Sequence, residues 1–260
     1  TRIPCPVFIQ RHPPRPLPPR TEVPRHPARL RARPSASCEP LPFSALQAQL
    51  LGKRLALEEF DAVYVSDLGR TRETFAYLGA QHKALCSGHG VPHLPEPQFS
   101  QECRERNAGA FEGLPFGTSD KEAAKAGVVP RDFRPPEGES WADLEVRAGR
   151  FLDNLVVEQF VEAVARGPTP APADGGLGAG HIRVLVVTHG GFIKEFINAA
   201  RPEGTKLYPN VCRNTSVFQF EVRCAAPGEE CAVEMVVEND VQHLPLPSKK
   251  APSKAEGGGE

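Results

Sequence analysis

A three-layer α/β sandwich with a mainly parallel central sheet is the fold that this sequence predicts. Two observations carry the prediction. Short apolar runs alternate with helix-periodic segments, the pattern of strands joined by crossover helices. The clearest run, Ile182 to Thr188 (IRVLVVT), is apolar without alternation, as a strand covered on both faces must be. Bulk composition agrees: of 260 residues, 40% are hydrophobic and 24% charged, which suits a globular chain rather than a disordered one.

Taken in order, Pro6 to Gln10 reads as a first strand and is followed by Arg11-His12. Residues 11–34 hold eight Pro and seven Arg, with Glu22 the only acid. Such proline density forbids helix and central strand, so residues 11–38 are expected to form an atypical Pro/Arg-rich arm. A disordered or polyproline-like arm is the plain expectation, and a basic ligand for a groove that reads polyproline helices, or for nucleic acid, is the sharper alternative. Ser44 to Glu58 is helix-like, with Leu46, Leu50, Leu51 and Leu55 on one face,. Ala62 to Val65 reads as a buried strand ending at Ser66-Asp67, and Arg70 to Ala80 as a helix. Ser140-x-x-Asp143 fits a capping box. The apolar positions from Trp141 to Val156 then repeat at helical spacing,. Residues 167–180 (GPTPAPADGGLGAG) read as a flexible surface loop,. His189-Gly190-Gly191 follows the strand at 182–188 and opens a helix to about Ala200. Thr215 to Val222 and Ala232 to Val237 read as two late strands that pair. The tail from 245 to 260 is Lys-, Pro- and Gly-rich and is expected to be disordered,. The expected organisation is one domain over residues 1–244 and that tail.

Composition excludes several function classes. A formal net charge of -1 gives no drive towards nucleic acid or anionic membrane,. No apolar run approaches the roughly 18 residues that span a bilayer. Seven scattered cysteines without a CxxC are neither a disulfide framework nor a zinc ribbon,; a reducing, cytoplasmic setting is the expectation. The chain opens on Thr1, and its first residues carry no apolar signal core,. The histidines lack the HExxH spacing of a helical metal site, so neither metal nor cofactor is expected.

Open parallel sheets take ligands beyond the C-terminal ends of their strands. Three clusters fall at such ends: Arg11-His12, Asp67 with Arg70, and His189. Two histidines, two arginines and a carboxylate form a plausible phosphate site. Arginine grips phosphate through a planar fork of donors. A neutral imidazole can attack phosphorus while another stabilises the transition state. A carboxylic acid can protonate the leaving oxygen.

At these residues the chain resembles a known family. Arg11-His12, Val65 to Thr74 (VSDLGRTRET), Cys103 to Gly113 (CRERNAGAFEG), Pro135 to Ser140 (PPEGES), Val186 to Gly191 (VVTHGG) and Asn214 to Val217 (NTSV) resemble, in order and spacing, the motifs of the histidine phosphatase, or phosphoglycerate mutase-like, superfamily. The resemblance runs from about residue 38 to 244. It implies that His12 forms a phosphohistidine, that Arg11 and Arg70 hold the phosphoryl group, that Glu105 is the general acid and base, and that His189 binds and polarises the phosphate. Glu112 is a rival carboxylate. The family implies a small phosphorylated substrate. Within it the likeness is to the fructose-2,6-bisphosphatases, which implies release of the 2-phosphate and a lowered glycolytic flux. Oligomeric state is not implied.

The chain departs from the family directly after His12. Where the family pattern has Gly-Glu-Thr, this chain has Pro13-Pro14-Arg15. Proline has no N–H to offer a phosphate and a fixed φ. A local reading-frame shift and a genuine divergence both produce such a stretch. A catalytically impaired pseudo-phosphatase that binds anions or partners is therefore the alternative reading.

Overall fold

Four strands run parallel in the computed structural model of this chain, which describes residues 3–4, 7–10, 42–115, 117–166, 182–200, 212–224 and 232–245. They are β2 (Val7–Gln10), β5 (Val184–Val187), β3 (Ala62–Ser66) and β4 (Gln98–Ser100), adjacent in that order. Antiparallel β6 (Val217–Cys224) pairs with β2, and β7 (Ala232–Asp240) pairs with the far side of β6. The two-residue β1 (Ile3–Pro4) pairs with β6 in the same register as β2, Ile3 opposite Cys224 and Val7 opposite Phe220. The expected mainly parallel sheet and the expected pairing of the two late strands are both present. The expected arm at 11–38, the loop at 167–180 and, apart from Pro245, the tail at 245–260 lie outside the described residues, as do Arg11 and His12.

Alternation along the strands divides the core in two. Val63, Val65, Leu185, Val187 and Val217 face one side, where they meet Leu51 of helix α1 (Pro42–Arg54), Leu55 in the turn just after it and Leu78 of helix α2 (Gly69–Cys86). Ala62, Tyr64, Val184, Val186, Phe218, Phe220 and Val222 face the other. There they meet Leu144, Ala148, Phe151 and Leu155 of α4 (Trp141–Arg166), and Phe192, Ile193 and Phe196 of α5 (Gly190–Ala199). Period-two side-chain placement on a sheet covered by helices on both faces produces three layers. Phe151, Phe192, Phe196 and Phe220 form a chain of ring contacts with centroids 5.3–6.1 Å apart, geometry that adds to simple burial.

Several expectations shift in detail. Leu46, expected on the buried face of α1, is 47% exposed. Ala48 and Leu51 make that face instead, with Gln47 beside them and Leu55 buried in the turn that follows. Helix α2 runs six residues past Ala80 because Leu78, His82 and Cys86 continue its buried row; the polar His82 hides that row from a hydrophobicity reading. Two elements, β4 and helix α3 (Thr118–Ala126), carry no signal of this kind. Strand β4 is a three-residue edge with no fully buried side chain, and α3 buries only Ala123. The capping box is realised in full. Ser140 Oγ accepts from the amide of Asp143 at 3.0 Å, and Asp143 Oδ2 accepts from the amide of Ser140 at 2.8 Å.

The loops beyond the parallel strands are tied to one another. Arg104 donates from Nε and Nη2 to the two carboxylate oxygens of Asp67, at 2.6 and 2.5 Å, a bidentate bridge between the loops that follow β3 and β4. Thr188, fully buried after β5, donates to the carbonyl of Cys103 at 2.5 Å. Arg131 joins Glu195 of α5 at 2.8 Å and also Glu145 of α4.

Two stability experiments follow. Truncating Phe196, fully buried between Phe192 and Phe220, is expected to destabilise the fold by about 3–5 kcal/mol; denaturant unfolding measures it. The Arg104 fork holds the Asp67 carboxyl below its usual value, against the opposing effect of burial. A carboxyl depressed in the folded state stabilises above its unfolded pKa and loses that contribution as pH falls through its folded value. The stability gap between the native chain and Asp67→Asn is therefore expected to be widest near neutrality and to shrink below about pH 4. A gap that grows in acid would contradict the assigned pairing.

Candidate active site

Register sets the site. Val187 of β5 pairs with Gln10 of β2 on one side and with Val65 of β3 on the other, and Val65 pairs with Phe99 of β4. All four parallel strands therefore end at one edge, where such sheets place ligands. The residues just past that edge are Ser66-Asp67, Gln101 to Glu105 and Thr188-His189, with Arg11-His12 next in sequence after Gln10.

His189 caps α5 in an extended conformation and is only 2% exposed. Arg70, in the first turn of α2, donates from Nε to His189 Nδ1 at 3.2 Å. The opposite ring nitrogen, Nε2, is 2.8 Å from Ser66 Oγ. A guanidinium can only donate, so Nδ1 is the acceptor, and the neutral ring carries its proton on Nε2 towards Ser66. Two of the residues singled out from sequence, Arg70 and His189, are thus in direct contact. They come from strand ends 119 positions apart in the chain.

Glu105 lies in the loop after β4 and reaches the same helix terminus. Its Oε2 accepts from the amide of Gly191 at 3.0 Å, and its Oε1 accepts from the amide of Arg106 at 2.9 Å. A methyl group on Gly191 would collide with this carboxylate and come within 3.1 Å of the Trp141 ring. A side chain at the second glycine after His189 would therefore displace the Glu105 carboxylate from its place. Asp67 takes Arg104 as its bidentate partner, and Glu105 accepts from two backbone amides. Glu112, the rival carboxylate, is exposed and accepts from the amide of Ala108 at 3.0 Å. His89 and His93 are four residues apart but stand in the irregular stretch after α2. Among the described residues, no three of His, Cys, Asp or Glu gather into a metal-binding group.

A pocket of about 480 Å³ opens beside Glu105, lined in part by Arg106, Phe111, Glu112, Arg131, Trp141 and Lys194. Trp141 is its aromatic wall. The Arg106 guanidinium sits 4.6 Å from the ring and the Lys194 ammonium 5.1 Å from it, both at cation–π range,. A stacked pair, Phe111 on Phe133, braces the segment around α3. Sequence reasoning did not single out Ser66, Arg106 or Lys194 as site residues. Lys194 could have been found: five residues past His189 it lies on the first turns of the helix that begins there. No helix among the described residues is long and apolar enough to cross a membrane.

Comparison with known proteins agrees with this geometry. Residues 44–165 match the model of the histidine phosphatase superfamily, branch 1. The chain is 31% identical over 205 residues to phosphoglycerate mutase-like protein 4 of Arabidopsis thaliana, covering 76% of this chain and 73% of that one. It is 28% identical over 193 residues to fructose-2,6-bisphosphatase TIGAR B of Danio rerio, covering 67% of this chain and 72% of the relative. Among solved structures, a mycobacterial glucosyl-3-phosphoglycerate phosphatase shares the fold with a TM-score of 0.60 at 19% identity, covering 93% of this chain and all of that one. With its α/β fold, its strand-end cluster and these relatives, the chain belongs to the histidine phosphatase superfamily.

Proposed function

We propose that this chain hydrolyses a phosphate monoester of a small metabolite through a phosphohistidine on His12. The observation that carries the reading is the contact of Arg70 with His189 beside a Glu105 carboxyl seated on the same helix terminus. The roles follow from the chemistry of each group. Arg11 and Arg70 grip the phosphoryl oxygens, and the His189 Nε2–H, turning from Ser66 Oγ to one of them, donates to it as charge builds there,. The His12 imidazole forms an N–P bond as the bond from phosphorus to the leaving oxygen breaks. Glu105, as the acid, gives its proton to that oxygen. In the second step the Glu105 carboxylate takes a proton from water, the water oxygen attacks phosphorus, and the N–P bond breaks to release phosphate.

The substrate we infer is a phosphorylated sugar, with fructose-2,6-bisphosphate and its 2-phosphate first among candidates. Its support is the likeness to fructose-2,6-bisphosphatases and the pocket, where Arg106 and Lys194 offer positive charge beside an aromatic wall. A second reading rests on one observation, Pro13-Pro14-Arg15 in place of the family's Gly-Glu-Thr. On that reading the site binds anions through Arg70 and His189 and turns them over slowly.

Hydrolysis of a panel of sugar phosphates, fructose-2,6-bisphosphate included, is expected to persist under a strong chelator. Acid-labile phosphate should appear on His12. Glu105→Gln is expected to slow alkyl phosphate esters about 10²-fold or more and nitrophenyl phosphate far less. Activity lost to the chelator and restored by Mg²⁺ or Zn²⁺ would remove the phosphohistidine reading.

Replacing Pro13-Pro14-Arg15 by Gly-Glu-Thr is expected to raise turnover on the order of 10²–10³-fold, the usual cost of one missing transition-state donor, while orthovanadate affinity changes much less. Equal turnover in the two chains would show that the segment after His12 is not needed in the family form.

A further inference from the structure

The residues that carry Glu105 form no helix or strand: residues 104–108 have irregular backbone. A loop of this kind keeps its shape only through the bonds that its polar groups find. Those bonds converge on one side chain, Arg147, in the second turn of α4, where its side chain is 12% exposed. Its Nη1 donates to the carbonyls of Glu102 at 2.5 Å and Arg104 at 3.0 Å. Its Nη2 donates to the carbonyl of Glu105 at 3.3 Å and to Glu139 Oε2 at 2.8 Å, and its Nε to Glu139 Oε1 at 2.9 Å. A guanidinium has five N–H groups, and all five have an acceptor here.

Glu139 completes the clasp. Its Oε2 also accepts from the amide of Asn107 at 3.0 Å, and its carbonyl accepts from Arg106 Nη1 at 2.9 Å. The amide of Glu139 donates to the carbonyl of Asn107 at 2.8 Å. The backbone from 102 to 107 is thus fastened to α4 and to the 137–139 segment on both sides of Glu105. The carboxyl that leaves this clasp meets Gly191 at 3.0 Å, in a space that any side chain on residue 191 would occupy. Lysine in place of Arg147 would bring three donors on a single point, with no planar fork to span three carbonyls and a carboxylate.

We propose that Arg147 is a positioning residue: its guanidinium fixes the loop backbone so that the Glu105 carboxyl stays on the Gly191 amide at the start of α5. The inference rests on the reading of Glu105 as the proton donor. A displacement of about an ångström at such a group can cost 10²-fold in rate.

The experiment uses the full chain and four forms of it: native, Arg147→Lys, Glu105→Gln and the double variant. The first readout is independent of turnover. The amide ¹⁵N and ¹H shifts of Gly191, followed from neutral pH into acid, are expected to titrate with the Glu105 carboxyl in the native chain. Glu105→Gln should abolish that response, and Arg147→Lys should shrink or abolish it at unchanged thermal midpoint. The second readout is leaving-group dependence. Arg147→Lys is expected to slow alkyl phosphates about tenfold or more, to spare nitrophenyl phosphate, and to add nothing to Glu105→Gln in the double variant. Should Arg147→Lys fail to fold, Glu139→Gln weakens the same clasp and is expected to reduce the Gly191 response in smaller measure. A full Gly191 response in Arg147→Lys, or in Glu139→Gln where that variant takes its place, overturns the proposal. So does equal slowing of both leaving groups that adds to the effect of Glu105→Gln. If Glu105→Gln alone leaves alkyl phosphate hydrolysis unchanged, the acid role falls, while a lost Gly191 response in Arg147→Lys still supports the clasp.

Discussion

Parallel register is the constraint on which the rest of the molecule depends. Val187 of the central strand pairs with Gln10 on one side and Val65 on the other, and Val65 with Phe99 beyond it. Because these partners are level, every chain segment leaving the sheet at that edge starts from the same line. Arg70, Glu105 and His189 need no long reach to meet. Shifting β3 by one residue would turn Val63 and Val65 away from α1 and α2 and bring Ala62 and Tyr64 onto them, since side chains alternate between faces. Burial of those four residues thus fixes the register, and the register fixes the site.

The polar groups at this edge are arranged by what they cannot do in water-free surroundings. Ser66 and Thr188 are fully buried and His189 nearly so, and each finds a partner in another of the strand-end loops. Desolvated polar groups without such partners would cost about 1–3 kcal/mol each. The loops after β3, β4 and β5 are consequently bonded to one another as well as to the strands that precede them. Asp67 with Arg104 repeats the principle at the surface, and Arg147 repeats it beneath the loop.

Much of this was legible in the sequence where apolar pattern and function coincide. IRVLVVT reads as a doubly covered strand because it is one, and THGG after it reads as a strand-to-helix turn at a ligand edge. The Ser140–Asp143 box was legible because capping depends on two side chains at fixed spacing. Leu46 misled because a leucine-rich helix offers two plausible faces, and only the position of α2 decides between them. Strand β4 and helix α3 escaped because neither buries enough side chain to leave a periodic trace. The partners of Asp67 and Glu105 also escaped. Asp67 is held by Arg104 from the loop after β4, and Glu105 by the Gly191 amide at the start of α5, partners that lie far from them in sequence. The clasp of Arg147 on three carbonyls has no sequence signal at all, since carbonyls belong to every residue.

The insertion of β5 between β2 and β3 has a consequence for the order of events as the chain is made. Arg70 and Glu105 emerge long before Val184 to Gly191, yet the histidine and the helix amide that they contact lie there. Until that late strand slots between two early ones, β2 and β3 are not neighbours and their ends share no line. A chain made only as far as the end of α4 therefore has Arg70 and Glu105 without the His189 ring and the Gly191 amide that they contact. Contacts of such long sequence separation also form slowly. The strand-end cluster is thus assembled around the last of the parallel strands to be made, Val184–Val187, rather than strand by strand along the chain.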